Sequence, residues 1–223
     1  IFLPILFVLY WFLFQKSKST QNLILIVASY YFYSCWDWRF LFLLIFSTLL
    51  DYFCAIKIEN SQKESMRKLW LWLCIVINLG FLGLFKYYNF FADSFSELAN
   101  SFGLHSSPIV LKLILPVGIS FYTFHGLSYI IDIYYKRIQS ERNFVDYSLF
   151  VSYFPLLVAG PIERFSSLGN ELKKTVTFTF EFIKKAIPLL LIGLFYKMVI
   201  ADNCGEYVNK TYESLNTQNN LNV

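Results

Sequence analysis

Residues 115–137 read LPVGISFYTFHGLSYIIDIYYKR, an apolar stretch that polar side chains interrupt repeatedly. The polar residues in it are Ser120, Tyr122, Thr123, His125, Ser128, Tyr129 and Asp132. Polar and ionisable groups at membrane depth are costly, and by default they mark a site or a pathway. In a helix, residues three and four positions apart share one face. The residues predicted to line a polar cavity from this helix are Ser120, Tyr122, His125, Ser128, Tyr129 and Asp132.

The start and the packing of this helix are predicted from its proline and glycine residues. Pro116 and Gly118 favour a broken or kinked start. Gly126 permits the close approach of a neighbouring helix, because it carries no side chain.

The rest of the chain is also strongly apolar. Of its 223 residues, 57% are hydrophobic and 15% are charged, whereas a soluble domain carries about 25% charged residues. Runs of about 18 or more apolar residues indicate membrane spans, and a buried soluble core is the alternative. The apolar runs cover about residues 1–14, 22–36, 38–56, 70–91, 109–135, 144–160 and 186–201. We therefore predict an all-α, multi-pass transmembrane protein with a single integral membrane domain over residues 1–223.

The charges between the runs predict how the chain is oriented. Lys and Arg are concentrated in the loops 15–21, 57–69 and 136–143. The loop 92–108 instead carries Asp93 and Glu97 and no Lys or Arg. Short basic loops stay in the cytoplasm, so we expect the N-terminus and the loop 92–108 to lie outside.

The run 144–160 breaks this alternation. Basic residues flank it on both sides, including Arg142 before it and Arg164 after it, and it ends in Gly160-Pro161. Both flanks are then expected in the cytoplasm, which predicts a re-entrant segment. Such a segment surrounds a cavity open to the cytoplasm, and Gly160, Pro161 and Arg164 are predicted to line it. An ordinary span with an exceptional charge distribution is the alternative.

The histidines are the first candidates for catalysis. His125 has the side chain of a general base, and Ser128, His125 and Asp132 suggest a Ser–His–Asp arrangement. Three such groups on one helix rarely reach triad geometry, so we interpret His125 as a hydrogen-bonded, cavity-lining residue. His105 is expected in a solvated loop.

Other kinds of site have little support in the sequence. No phosphate-binding loop, dinucleotide-binding glycine motif or metal-spaced set of His and Cys is present, and no metal ligand or bound cofactor is predicted. Cys35, Cys54, Cys74 and Cys204 form no C-x-x-C pair and are expected to act as small hydrophobic residues.

Two long motifs carry a resemblance to a known family. The segment 115–137 and the segment FVDYSLFVSYFPLLVAGPIERF at 144–165 resemble the membrane-bound O-acyltransferases. The similarity is to the bacterial branch that contains alginate O-acetyltransferases and D-alanyl-lipoteichoic-acid transferases. FLPILFVLYW at 2–11 and YYFYSCWDWRFLFLL at 30–44 are similar to the same branch.

The resemblance implies an enzyme that moves an acyl group from a cytoplasmic donor to hydroxyls of an exopolysaccharide or cell-envelope acceptor. It implies acetyl-CoA or another acyl thioester as donor, a location in the bacterial cytoplasmic (inner) membrane, and a periplasmic acetyltransferase as a possible partner. The family's catalytic histidine lies in a later span than the residues matching 144–165. We therefore expect it beyond residue 223, in a longer protein of which this chain is the N-terminal part, and predict no catalytic residue here.

Two other functions fit the same residues. Polar groups at membrane depth also occur in a transporter or flippase of lipid-linked envelope material. A non-catalytic membrane scaffold for a partner acyltransferase is the other alternative, because the expected catalytic histidine is not among residues 1–223.

Overall fold

A computed structural model describes residues 2–13, 17–102, 114–174 and 178–220. These residues form helices and no strand, which confirms the predicted all-α class. The α-helices are α1 (Phe2–Val8), α2 (Lys18–Asn60), α3 (Glu64–Ser101), α4 (Ile119–Tyr134), α5 (Phe144–Ser152), α6 (Phe154–Leu157), α7 (Asn170–Lys173), α8 (Phe180–Phe195) and α9 (Asp202–Asn220). Short π-helical segments occupy Leu9–Leu13, Phe165–Gly169 and Tyr196–Ala201. The chain forms two compact units, Ile1–Thr175 and Val176–Val223.

Helix α2 consists of two apolar halves separated by a kink at Asp37. The backbone of Asp37 is extended, with φ −159° and ψ 110°. Its carboxylate accepts a hydrogen bond from the backbone N–H of Arg39 at 3.0 Å, as an N-cap residue does. The kink therefore lies where the sequence predicts a turn between the runs 22–36 and 38–56.

Helix α3 continues beyond the apolar run from which it was predicted. The run ends at residue 91, but the helix extends to Ser101 and includes Asp93 and Glu97 of the predicted loop. Residues 92–101 contain neither Gly nor Pro, so the change to polar residues does not interrupt the helix. The rest of that loop, with His105, and the first residues of the run 109–135 lie outside the described residues.

Helices α2, α4 and α5 surround the core of the first unit. The largest fully buried side chains there include Tyr33, Tyr129, Tyr147 and Phe150. Helix α4 begins directly after Gly118, whose φ is +75°. Only glycine adopts this conformation easily, so the predicted broken start of α4 is present.

The two long helices have the length and the composition of membrane spans. Helices α2 and α3 each contain a window with a mean hydropathy of 1.9. Each half of α2 is about 30 Å long at the helical rise of about 1.5 Å per residue, close to the bilayer thickness. The prediction of a single multi-pass membrane domain goes beyond these observations and stays a prediction.

Candidate functional site

The segments 115–137 and 144–165, which carry the resemblance, pack against each other. They meet first at the start of α4, where a Cβ atom placed on Gly118 would lie 2.2 Å from the carbonyl oxygen of Leu157. From there the non-helical residues 158–164 follow α4 towards its C-terminal end. They contact it again at His125 and at Asp132.

His125 joins the two motifs through the backbone. It is fully buried, and its Nε2 atom accepts a hydrogen bond from the backbone N–H of Glu163 at 3.1 Å. Its ring also packs edge-on against Phe150, with 5.6 Å between the ring centres. The Nδ1 atom is buried, and no described residue forms a hydrogen bond with it. These contacts give His125 a positioning role for the segment after Gly160-Pro161.

Tyr129 occupies the centre of an aromatic cluster formed by both motifs. Its ring lies 4.6 Å from that of Tyr147 and 5.0 Å from that of Phe165. Its hydroxyl accepts a hydrogen bond from the backbone N–H of Glu141 at 2.7 Å. The residue therefore holds the connection between α4 and α5 as well as the aromatic core.

Asp132 is a buried carboxylate at the C-terminal end of α4. Only 6% of its side chain is exposed, and its Oδ1 atom lies 3.1 Å from a guanidinium nitrogen of Arg137. Arg164 approaches the same oxygen at 3.8 Å from the other motif. A buried carboxylate needs such partners, and this pairing brings the predicted residues Asp132 and Arg164 together.

The other predicted site residues are less closely joined to this cluster. Tyr122 is buried beside Tyr33, and the hydroxyls of the two side chains are neighbours. Ser120 is half-buried, and Ser128 donates to the carbonyl of His125 within its own helix at 2.9 Å. Gly160 and Pro161 are exposed.

The Ser–His–Asp arrangement considered from the sequence does not form in this structure. The side chains of Ser128, His125 and Asp132 each bond to other groups and not to one another. Among the described residues no group of His, Cys, Asp and Glu is arranged to hold a metal ion.

A second buried polar cluster centres on Asp51, for which the sequence suggested no partner. Its Oδ1 atom accepts hydrogen bonds from Asn78 at 2.7 Å and from the Cys74 thiol at 3.0 Å. Ser47 extends the cluster by donating to Asn78 at 2.6 Å. The sequence carried one signal of this cluster. Residues 47 and 51 on α2, and residues 74 and 78 on α3, are four positions apart, so each pair shares a helix face.

This second cluster also contacts α4 and α5. A Cβ atom on Gly126 would lie 1.8 Å from the Oδ2 atom of Asp51, so the close approach predicted for Gly126 is made to this carboxylate. The Tyr147 hydroxyl neighbours the same carboxylate from α5. The cluster thus joins the four helices α2, α3, α4 and α5.

Curated proteins similar to this chain are bacterial O-acetyltransferases. A Pseudomonas aeruginosa protein named "Probable alginate O-acetylase AlgI" is 37% identical over 204 residues, which is 91% of this chain and 38% of that protein. The Pseudomonas putida protein of the same name is 38% identical, over 91% of this chain and 41% of the relative. A Helicobacter pylori "Peptidoglycan O-acetyltransferase" is 34% identical over 93% of this chain and 44% of its own length.

Two further comparisons gave no match. No family model matches the chain, and no solved structure does so. The chain spans about two fifths of the length of the curated relatives it matches. Over about nine tenths of its own length this chain is a homologue of bacterial O-acetyltransferases, which confirms the resemblance to the membrane-bound O-acyltransferases that its motifs predicted.

Proposed function

We propose that this chain forms part of a membrane-bound O-acyltransferase. The enzyme transfers an acyl group, expected to be acetyl, from a cytoplasmic thioester to hydroxyls of an exopolysaccharide or cell-envelope acceptor. The observation that carries the proposal is the identity of 37% over 91% of the chain with a protein named as an alginate O-acetylase. The relative named for peptidoglycan supports the broader class of envelope acceptor.

Exposed apolar side chains support the membrane location. Phe42 and Phe53 of α2 are 66% and 58% exposed, and Trp72 and Val76 of α3 are 61% and 62% exposed. Soluble proteins rarely expose large contiguous apolar surfaces, whereas lipid-facing helices do so along their length. We place the protein in the bacterial cytoplasmic (inner) membrane with its N-terminus outside.

An ion pair supports the re-entrant path of 144–160. Glu141 precedes this segment and Lys173 follows it, and the two side chains form an ion pair. The ion pair joins the two flanks of the segment, which supports a path that returns to the side of the membrane from which it started. Helix α5 is only 9 residues long, about 14 Å at the helical rise, which is too short to cross a bilayer of about 30 Å.

The proposed chemistry is acyl transfer to a hydroxyl. A general base removes the hydroxyl proton, the oxygen bonds to the acyl carbon, and the carbon–sulfur bond of the thioester breaks to release the thiol. The base is the histidine expected from the resemblance in a later span. The buried contacts around His125 and Asp132 hold together the two motifs that are predicted to line the cavity, and a periplasmic acetyltransferase is proposed as the partner.

Label transfer tests the function directly. Membranes containing the whole protein are supplied with acetyl-CoA that carries a radioactive acetyl group. The radioactivity of the polysaccharide fraction is then measured. Label in ester linkage to the polysaccharide supports acyl transfer. Relocation of an unmodified acceptor across the membrane would indicate a transporter. A partner that copurifies with the intact protein, with no ester formed by either, would indicate a scaffold.

Cysteine labelling tests the re-entrant path separately. Gln139→Cys and Ser167→Cys both introduce an exposed thiol, each in a background in which the native cysteines are replaced. In intact cells an impermeant maleimide should label neither variant, and both should react after the cells are opened. Labelling of Ser167→Cys alone from outside would show a complete span.

A further inference from the structure

A cleft with a basic lining lies at the C-terminal end of α4, apart from the His125 contacts. Its volume is about 710 Å³, within the range of about 300–1,000 Å³ that small-molecule sites occupy. Residues of the α2–α3 connection and of the segment after α4 form its walls. The lining residues are Glu59, Ser61, Gln62, Arg67, Ile133, Lys136, Arg137, Ile138 and Gln139.

The cleft carries an excess of positive charge. Arg67 and Lys136 have no ion-pair partner in the part of the chain that the structure describes. Arg137 is paired with Asp132. The acidic lining residue Glu59 already binds Arg142 at 2.6 Å. Two cationic side chains are therefore left to balance the charge of a ligand.

Arg67 is held in position before any ligand binds. Its guanidinium donates to the backbone carbonyl of Tyr134 and lies 5.3 Å from the centre of the Tyr134 ring. Its Nε atom is buried and has no hydrogen-bond partner within the described ranges. Because the side chain is fixed, binding costs little additional conformational entropy.

Lys136 is held at the cleft by the hydrogen-bonded turn that ends α4. Its φ is +57°, and no other non-glycine residue among those described has a positive φ. This is the left-handed residue of a Schellman motif that ends α4, because the N–H of Lys136 donates to the carbonyl of Ile133 and the N–H of Arg137 donates to the carbonyl of Asp132, both at 2.9 Å. The turn that contains it places both Lys136 and Arg137 on the cleft wall.

We propose that this cleft binds a phosphate group. Guanidinium and ammonium groups are the side chains that recognise phosphate, Arg through paired donors and Lys as a point charge. The two unpaired cations match the two negative charges of a phosphate monoester, and the cleft also contains Ser61. The inference goes beyond acyl transfer, because it concerns the phosphate whatever molecule carries it.

The phosphate can belong to a soluble nucleotide or to a membrane lipid. Coenzyme A carries a phosphate monoester and a diphosphate, and its use as the donor rests on the proposed function. An anionic phospholipid headgroup presents the same chemistry from the bilayer. Separate binding assays distinguish the two sources, and neither assay measures acyl transfer.

The test uses the purified whole protein in nanodiscs. In phosphatidylcholine nanodiscs, binding of labelled coenzyme A is measured by equilibrium dialysis. In nanodiscs that also contain phosphatidylglycerol, native mass spectrometry counts the anionic lipids that the protein retains. Whichever of the two ligands binds, we expect the double variant Arg67→Gln with Lys136→Gln to bind it about tenfold or more weakly.

A matched pair of lysines provides the control. Lys57 and Lys63 are exposed residues of the same basic region that do not line the cleft. Lys57→Gln with Lys63→Gln removes the same charge and should change binding by less than about twofold. Equal losses in the two double variants would show a general surface-charge effect and would overturn the proposal. So would the absence of binding in both assays.

A glycine variant separates binding from folding. Lys136→Gly removes the charge and also relieves the strain at φ +57°, since glycine adopts this conformation freely. It should therefore melt no lower than the wild type and still bind the phosphate ligand several-fold more weakly. Unchanged binding in this variant would overturn the role of Lys136.

Discussion

Helices α4 and α8 both have 16 residues and both are apolar, but their surroundings differ. Most residues of α4 are buried, including His125 and Asp132. Helix α8 has no buried residue, and Leu189 and Leu190 on it are 71% and 60% exposed. The more polar of the two helices is therefore the one in the protein interior.

This difference shows what a polar residue indicates in an apolar helix. A lipid-facing surface gains nothing from hydrogen-bonding groups, whereas an interior surface can satisfy them. His125, Tyr129 and Asp132 find partners on the neighbouring elements. In α4, the polar side chains therefore mark the buried face. Each prediction below therefore compares one change in the first unit with a matched change in the second, or with another residue of α4.

Replacing Gly126 with Ala should cause the largest loss of stability. The new Cβ atom would lie 1.8 Å from the Oδ2 atom of Asp51, in a cluster whose atoms cannot move freely, at a cost of about 3 kcal/mol. Gly193→Ala in α8 is the control, because nothing lies within 4 Å of its Cβ position. Thermal unfolding in detergent, followed by size-exclusion chromatography, measures both. Equal melting temperatures for the two variants would contradict the close contact.

Replacing Asp51 with Ala should have the next largest effect. The change removes the acceptor of the Asn78 and Cys74 hydrogen bonds. Asn78 keeps the Cys74 carbonyl as an acceptor at 3.1 Å, so the expected loss is about 2 kcal/mol. Asp202→Ala removes a carboxylate that is 52% exposed and should change the melting temperature little. In the double variant with Gly126→Ala, the missing carboxylate makes room for the new methyl group. A strictly additive loss would therefore argue against the contact between the two residues.

Replacing His125 with Phe should have a smaller effect on stability. Phe keeps the ring against Phe150 but leaves the N–H of Glu163 without its acceptor, at a cost of about 1.5 kcal/mol. Ser128→Ala is the control, because that hydroxyl bonds only within α4. Acetyl transfer by the whole protein is assayed at the same time and should stay within about tenfold of the wild type. A loss of about a hundredfold or more in well-folded protein would indicate that His125 is a general base.

The sequence predicted features that depend on one helix at a time. The all-α class, the break between the runs 22–36 and 38–56 and the broken start of α4 at Pro116 and Gly118 follow from local composition and backbone preference. The polar face of α4 followed from its spacing, and Tyr122, His125, Tyr129 and Asp132 are all buried. Ser128 is only half-buried, because it lies at the edge of that face.

Contacts between elements were not predictable in the same way. Asp51 pairs with residues 23 and 27 positions later in the sequence, and periodicity says nothing about which turns of two helices face each other. The partner of His125 is a backbone N–H, which no side-chain pattern can reveal. The end of α3 was also missed, because a change from apolar to polar residues ends a predicted run without ending a helix.

The smallest expected effect concerns the ion pair between Glu141 and Lys173. Only 9% of the Glu141 side chain is exposed, against 41% for Lys173. The half-open geometry limits the coupling to about 0.5 kcal/mol, because solvent screens the lysine and its side chain loses entropy on pairing. A double-mutant cycle with Glu141→Gln and Lys173→Gln isolates this coupling from the effect of each substitution. The matched pair in the second unit is Glu206 and Lys210, with side chains 66% and 71% exposed, and its coupling should be too small to resolve.

Raising the salt concentration should reduce the coupling between Glu141 and Lys173 only partly, since burial of the carboxylate limits screening. If the Glu141 and Lys173 cycle also gave no coupling at low salt, the two flanks would not be held together by this pair, and the re-entrant path of 144–160 would lose its main support.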